Sequence, residues 1–157
     1  LGAAAVAVSD LSDFRLEVAR ACGIPHTVNP AIQDLAAALQ DAFAPDGADA
    51  ILECVGVEET VGQAVSLARK GTDIVIVGVY GERPRVDIGL VQDKELRLIG
   101  TLMYKAEDYR TAIELIRSGR ITLKPLMTKH FPFEQYSEAY RFIEKNRDRT
   151  MKVFIDL

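Results

Sequence analysis

Short continuous apolar runs alternate along this chain with stretches whose apolar residues recur every third or fourth position. Residues 4–8, Ala-Ala-Val-Ala-Val, end at Ser9-Asp10 and have the length and texture of a strand buried on both faces. Next, Leu16, Ala19 and Cys22 share one side of a predicted helix over 13–22, with Ser12 as its N-cap and Gly23 as the residue that ends it. A short strand over 26–29 is closed by Pro30. Ile32, Leu35, Leu39 and Phe43 then mark an amphipathic helix, and Pro45-Asp46-Gly47 reads as a turn. Residues 49–56, 73–78 and 96–100 predict three more strands, the first two running into Gly56 and Gly78. Val61, Ala64, Val65 and Ala68 give one helical stripe; Tyr109, Ala112, Ile113 and Ile116 give another. Lys70-Gly71 and Ser118-Gly119 end them. Residues 79–95 carry no period and read as a loop.

This alternation predicts an α/β fold: a doubly wound parallel sheet with right-handed crossovers and helices on both faces. After Gly119 the texture changes. Pro125 and Pro132 interrupt short extended pieces, a helix over 134–146 uses Tyr136, Tyr140 and Ile143, and 151–157 is a last strand. The tail therefore reads as leaving the alternation, which divides the chain into 1–120 and a return segment, 121–157. The first apolar run begins at once and residue 1 is Leu, so the chain is expected to start inside a larger protein.

Composition narrows the classes. The 157 residues are 48% hydrophobic and 27% charged, an ordinary globular balance. A net charge of −4 gives no electrostatic footprint for nucleic acid or an anionic membrane. No apolar run approaches the roughly 18 residues of a spanning helix. The Ala-rich start lacks the basic flank of a secretory signal, and a cytoplasmic location is expected. Cys22 and Cys54, in apolar settings, read as reduced core thiols. His26 and His130 lie in different segments, and no Cys/His pair has metal-ligand spacing. No nucleophile elbow, phosphate-binding P-loop or His-Glu-x-x-His motif occurs.

Ligands of doubly wound sheets bind beyond the carboxyl ends of the strands. That selects Asp10 and the corners Cys54-Val55-Gly56, Gly78-Val79-Tyr80-Gly81 and Thr101-Leu102-Met103-Tyr104. An acid at a strand tip can accept hydrogen bonds from both hydroxyls of an adenosine ribose and repel a 2′-phosphate. Equally, Asp10 can cap the next helix. Arg15 is a candidate for the face of an adenine or a solvated helix residue. Gly56 and Gly78 either admit a ligand close to the backbone or end their strands. Cys54 reads as packing, with no base near it in sequence. Tyr104 either presents a phenol to the crevice or packs at the core edge.

Taken together, Asp10-Leu11-Ser12-Asp13-Phe14-Arg15-Leu16 with Ala19 and Gly23, the segments 49–56, 71–78 and 95–100, and Lys124-Pro125-Leu126-Met127-Thr128 resemble the medium-chain dehydrogenase/reductase family in order and spacing. The ending Lys152-Val153-Phe154-Ile155-Asp156-Leu157 resembles its zinc-dependent polyol branch of sorbitol, xylitol and butanediol dehydrogenases. The resemblance implies a Rossmann-like sheet that lacks the family's first strand and Gly-rich loop, followed by a segment of the catalytic domain. It implies NAD as cofactor, and zinc on ligands in a catalytic domain outside this chain. It further implies an alcohol or polyol substrate, a homo-oligomer, and no nucleic-acid or membrane partner. Asp10 would hold the ribose, Arg15 would lie by the adenine, and Val55, Gly78, Val79, Thr101, Leu102 and Met103 would line the cofactor. Tyr104 would face the substrate. Met103 stands where the sorbitol enzymes commonly carry arginine; a thioether donates no hydrogen bond to a polyol. The fragment alone is expected to be inactive, with a break between the strand ending at Asp10 and the strand ending at Gly56. Two other classes fit the alternation: a stand-alone nucleotide-sensing module, and a methyltransferase-like domain with an acid at its second strand.

Overall fold

The computed structural model describes residues 2–157. In chain order the elements are β1 (Ala7–Ser9), α1 (Asp13–Ala21), β2 (His26–Val28), α2 (Leu35–Phe43), β3 (Ala50–Glu53), α3 (Glu58–Leu67), β4 (Asp73–Ile76), α4 (Ile88–Asp93), β5 (Arg97–Gly100), α5 (Ala106–Arg117), β6 (Met127–Pro132), α6 (Tyr136–Lys145) and β7 (Lys152–Asp156). Short 3-10 turns cover Lys124–Leu126, Phe133–Gln135 and Arg147–Arg149. Two compact units result: residues 2–35 with Ala106–Leu157, and Ala36–Lys105.

Among the described residues all strand pairs are parallel, in three separate sheets: β1-β2, β3-β4-β5 and β6-β7. β1 and β3 thus belong to separate sheets. In the first unit Ser12 caps α1 by accepting from the Arg15 N–H at 3.4 Å, and Gly23, at φ +94°, ends the turn that follows. Buried Leu16 and Val18 anchor the helix. In the second unit α3 and α4 supply Ala64, Val65, Leu90 and Val91 to a core around Ile74, which is fully buried. The fully buried Val65 and Ile74 side chains each contribute about 2 kcal/mol of hydrophobic burial. The Lys94 ammonium donates to the carbonyls of Val65, Ser66 and Ala68 at 2.7–3.3 Å, satisfying the last turn of α3.

Four readings of the sequence need correction. Residues 79–95 contain α4, whose Asp87 side chain caps it by accepting from Leu90 N–H at 2.9 Å; six residues are too few to show a period. Ile32 is exposed and precedes α2, because Asn29 folds 29–33 into a turn: its carbonyl accepts from Ile32 and Gln33, its side chain from Ala31. The tail does not abandon the alternation, since β6, α6 and β7 form their own parallel β-α-β unit. Phe131 and Ala139 are its buried contacts. Finally, the cysteines are not core thiols. Cys22 is half-buried at the end of α1, and Cys54 is exposed because β3 stops at Glu53 and the apolar run continues beyond it.

Candidate functional site

In the first unit, the chain leaves β1 at Asp10, whose N–H still donates to Val28 of β2 at 3.2 Å. The Asp10 Oδ1 accepts from the Ser12 N–H at 2.9 Å, and Oδ2 lies 3.5 Å from the Arg15 guanidinium. Ser12 is the N-cap of α1, and Asp10 accepts the N–H of that cap residue, so part of its carboxylate serves the helix terminus. Arg15 is not simply solvated, because it faces Asp10 and also donates to the Arg147 carbonyl at 3.3 Å. The Ser12 hydroxyl donates to the Asp148 carbonyl at 3.0 Å, tying the tail's 3-10 turn to this corner. Buried Asn29 supports it from β2, donating to the Leu11 carbonyl and to Asp13 Oδ1. A cavity of about 410 Å³ in the same unit is lined by Val8, Asp10, Arg15, Arg120, Leu123 and Met151, among others. With the Asp10 side chain 28% exposed, part of its acceptor capacity remains open.

In the second unit the register Glu53↔Ile76↔Gly100 brings three strand ends level. Val55, then Gly78 and Val79, then Thr101, Leu102 and Met103 therefore leave one edge of one sheet. Val55, Val79, Leu102, Met103 and Tyr104 are all exposed there. Thr101 N–H donates to Ile76, while Met103 adopts φ +63°, outside ordinary strand geometry. Asp10 and Arg15 are thus brought together in one unit, and the remaining expected residues along the strand ends of the other.

Glu53 organises the first two of these ends, and sequence reasoning missed it. It is 3% exposed. Its Oε1 accepts from the N–H groups of Val55 and Gly56, both at 2.9 Å, and from the Thr60 hydroxyl at 2.7 Å. Oε2 accepts from the Tyr80 hydroxyl at 2.9 Å. The Glu53 carbonyl takes the N–H groups of Val77 and Gly78. Burial pushes this carboxyl up, but the Gly56, Thr60, Val55 and Tyr80 donors outweigh it and hold it below the ordinary carboxylate value. Burial and the bond to Glu53 push the Tyr80 phenol up to about 12. Burial, then the Glu53 charge, also raises the Cys54 thiol, which disfavours a nucleophilic thiolate.

Gly56 and Gly78 have a use that neither sequence alternative named: their turns touch each other. A Cβ on Gly56 would sit 2.5 Å from the Val79 carbonyl oxygen. One on Gly78 would sit 2.6 Å from Glu53 Oε2 and against the Gly56 backbone. A smaller cavity, about 260 Å³, opens here between Gly56, Glu58, Tyr80 and Arg83. The signal that was available is an acid inside an apolar strand, three residues before a glycine. Among the described residues no group of three or more His, Cys, Asp or Glu side chains is placed to hold a metal ion. No described helix is long and apolar enough to cross a membrane.

Residues 1–118 match the family model for zinc-binding dehydrogenases. The chain belongs to that family. The expected resemblance is therefore borne out, and the methyltransferase-like alternative is set aside. Sorbitol dehydrogenase 1 of Saccharomyces cerevisiae is 32% identical over 160 residues, covering 98% of this chain and 45% of the yeast protein. The L-idonate 5-dehydrogenase of Escherichia coli superposes with a TM-score of 0.86 at 26% identity, over 99% of this chain and 44% of that one. A zinc-binding dehydrogenase structure from Sinorhizobium meliloti 1021, solved with NADP bound, gives a TM-score of 0.76 at 27% identity, over 88% of this chain and 41% of that one. The chain thus spans about 45% of the length of the curated relatives it matches.

Proposed function

We propose that this chain is the cofactor-binding part of an NAD-dependent, zinc-containing dehydrogenase acting on a secondary alcohol of the polyol class. The observation that carries the reading is Asp10: a partly exposed carboxylate at a parallel strand's end, with acceptor positions left over. Asp10 accepts the two ribose hydroxyls of the adenosine half, and its charge opposes a 2′-phosphate. Arg15, already turned toward this corner, lies along the adenine. Val55, Gly78, Val79, Thr101, Leu102 and Met103 offer backbone groups and apolar walls to the nicotinamide half, and Tyr104 faces the alcohol. Bound nicotinamide supplies the hydride acceptor. Residues 1–120 carry this binding role and 121–157 return toward a catalytic domain. Zinc is assigned to that domain, and no residue of this chain is given a role at it. The unpaired edges of β1 and β3 favour pairing with further chain or self-association.

Steady-state kinetics of the full-length enzyme on xylitol, sorbitol and 2,3-butanediol test the reading. NAD should be favoured over NADP by about tenfold or more, the scale of one charged hydrogen bond. A preference for NADP contradicts the role of Asp10. Because Met103 replaces a donor, sorbitol should not outrank the smaller diol, and Met103→Arg should move preference toward sorbitol.

A further inference from the structure

The β3 and β4 turns meet backbone to backbone at Gly56 and Gly78, a contact without side-chain interdigitation. Two backbone bonds pin it at one point, the Val77 and Gly78 N–H groups donating to the Glu53 carbonyl at 2.8 and 2.9 Å. A side chain also crosses it: the Glu53 carboxylate accepts from the N–H groups of its own turn and from the hydroxyl of Tyr80 in the other, 27 residues away in sequence. Tyr80 directly follows Gly78 and Val79 and lines the small cavity between the turns. A buried carboxylate costs free energy to desolvate and is tolerated when its acceptor positions are filled. Here four donors meet the carboxylate, three at Oε1 and one at Oε2. A hydrophobic residue would serve the core better; a carboxylate at this position fixes directions.

We propose that Glu53 and Tyr80 form a positioning clamp that sets the β3 turn against the β4 turn, and so the spacing of the backbone groups offered to the nicotinamide half of the cofactor. The inference rests on the dinucleotide reading above. Neither residue touches the reacting atoms; both act through Val55, Gly56, Gly78 and Val79.

The test uses the full-length protein and its Tyr80→Phe and Glu53→Gln variants, with NADH titration, KM values for NAD and for the alcohol, and amide hydrogen exchange without cofactor. Tyr80→Phe removes one bond to a charged acceptor. It should raise the NADH Kd and the KM for NAD about tenfold, leave the KM for the alcohol unchanged, and speed exchange at Val55 and Gly56. Glu53→Gln keeps the acceptor toward its own turn and can donate to the Tyr80 oxygen, so it should lie between parent and Tyr80→Phe. Unchanged NADH affinity together with unchanged exchange in Tyr80→Phe would overturn the clamp. A parent protein that binds neither NADH nor NADPH defeats the functional reading instead. The exchange data then judge the clamp alone: faster exchange at Val55 and Gly56 supports it, and parental rates refute it.

Discussion

Asp10 and Glu53 are both acids at the carboxyl ends of parallel strands, yet their surroundings differ. Asp10 takes one N–H bond at 2.9 Å and faces a guanidinium at 3.5 Å, with 28% of its side chain exposed. Glu53 is 3% exposed and accepts from two N–H groups and two hydroxyls. A carboxylate has about four acceptor positions. Glu53 receives four protein donors, three at Oε1 and one at Oε2; Asp10 receives one N–H bond and one guanidinium contact. Position in the fold nominates both residues, and hydrogen bonding separates them: on the proposed reading the less engaged acid takes the ligand, and the more engaged one holds the scaffold.

The comparison breaks most visibly at Glu53. Glu53→Ala removes the acceptor of the buried Gly56 N–H, the half-buried Val55 N–H and the Tyr80 hydroxyl, while Thr60 keeps the Val57 carbonyl, and should cost about 2–3 kcal/mol in a urea melt. If stability is unchanged, this distinction fails. Acid should act on the same group. The folded carboxyl lies below its ordinary value of 4.5, so its contribution is present above that pH and fades as pH falls through the lower folded value. Stability should decline on acidification through this window, less steeply in Glu53→Gln. The exposed Glu58, held low by its bonds to Arg85, titrates in the same window, so Glu58→Gln is the control. A smaller effect, about 1–2 kcal/mol, is expected for Lys94→Met, which removes the ammonium from the last carbonyls of α3. A loss restricted to α3 in hydrogen exchange would show that this cap acts locally.

Much of the fold was legible because its signals are local. Ser12 and Gly23 bracket α1, and Ser118-Gly119 closes α5, as the apolar spacing implied. The six residues of α4 carry no period, and the pairing of β6 with β7 is a long-range fact that no window reports. Among the proposed site residues, Asp10 was legible from its place after an apolar run. Glu53 was not, since its partners stand at 55, 56, 60 and 80 and share no motif. Gly56 and Gly78 were visible as strand ends, but their mutual contact required coordinates.

The difference between the two acids is tested most directly by Asp10→Ala in the full-length enzyme, measuring thermal stability and NADH and NADPH affinity together. Losing one N–H acceptor and a half-exposed ion pair should change stability by less than about 1 kcal/mol. NADH affinity should fall about tenfold or more and the NADH/NADPH ratio should narrow. A variant that unfolds as Glu53→Ala is expected to, while binding NADH as tightly as the parent, would show that Asp10 serves the scaffold and would contradict the account.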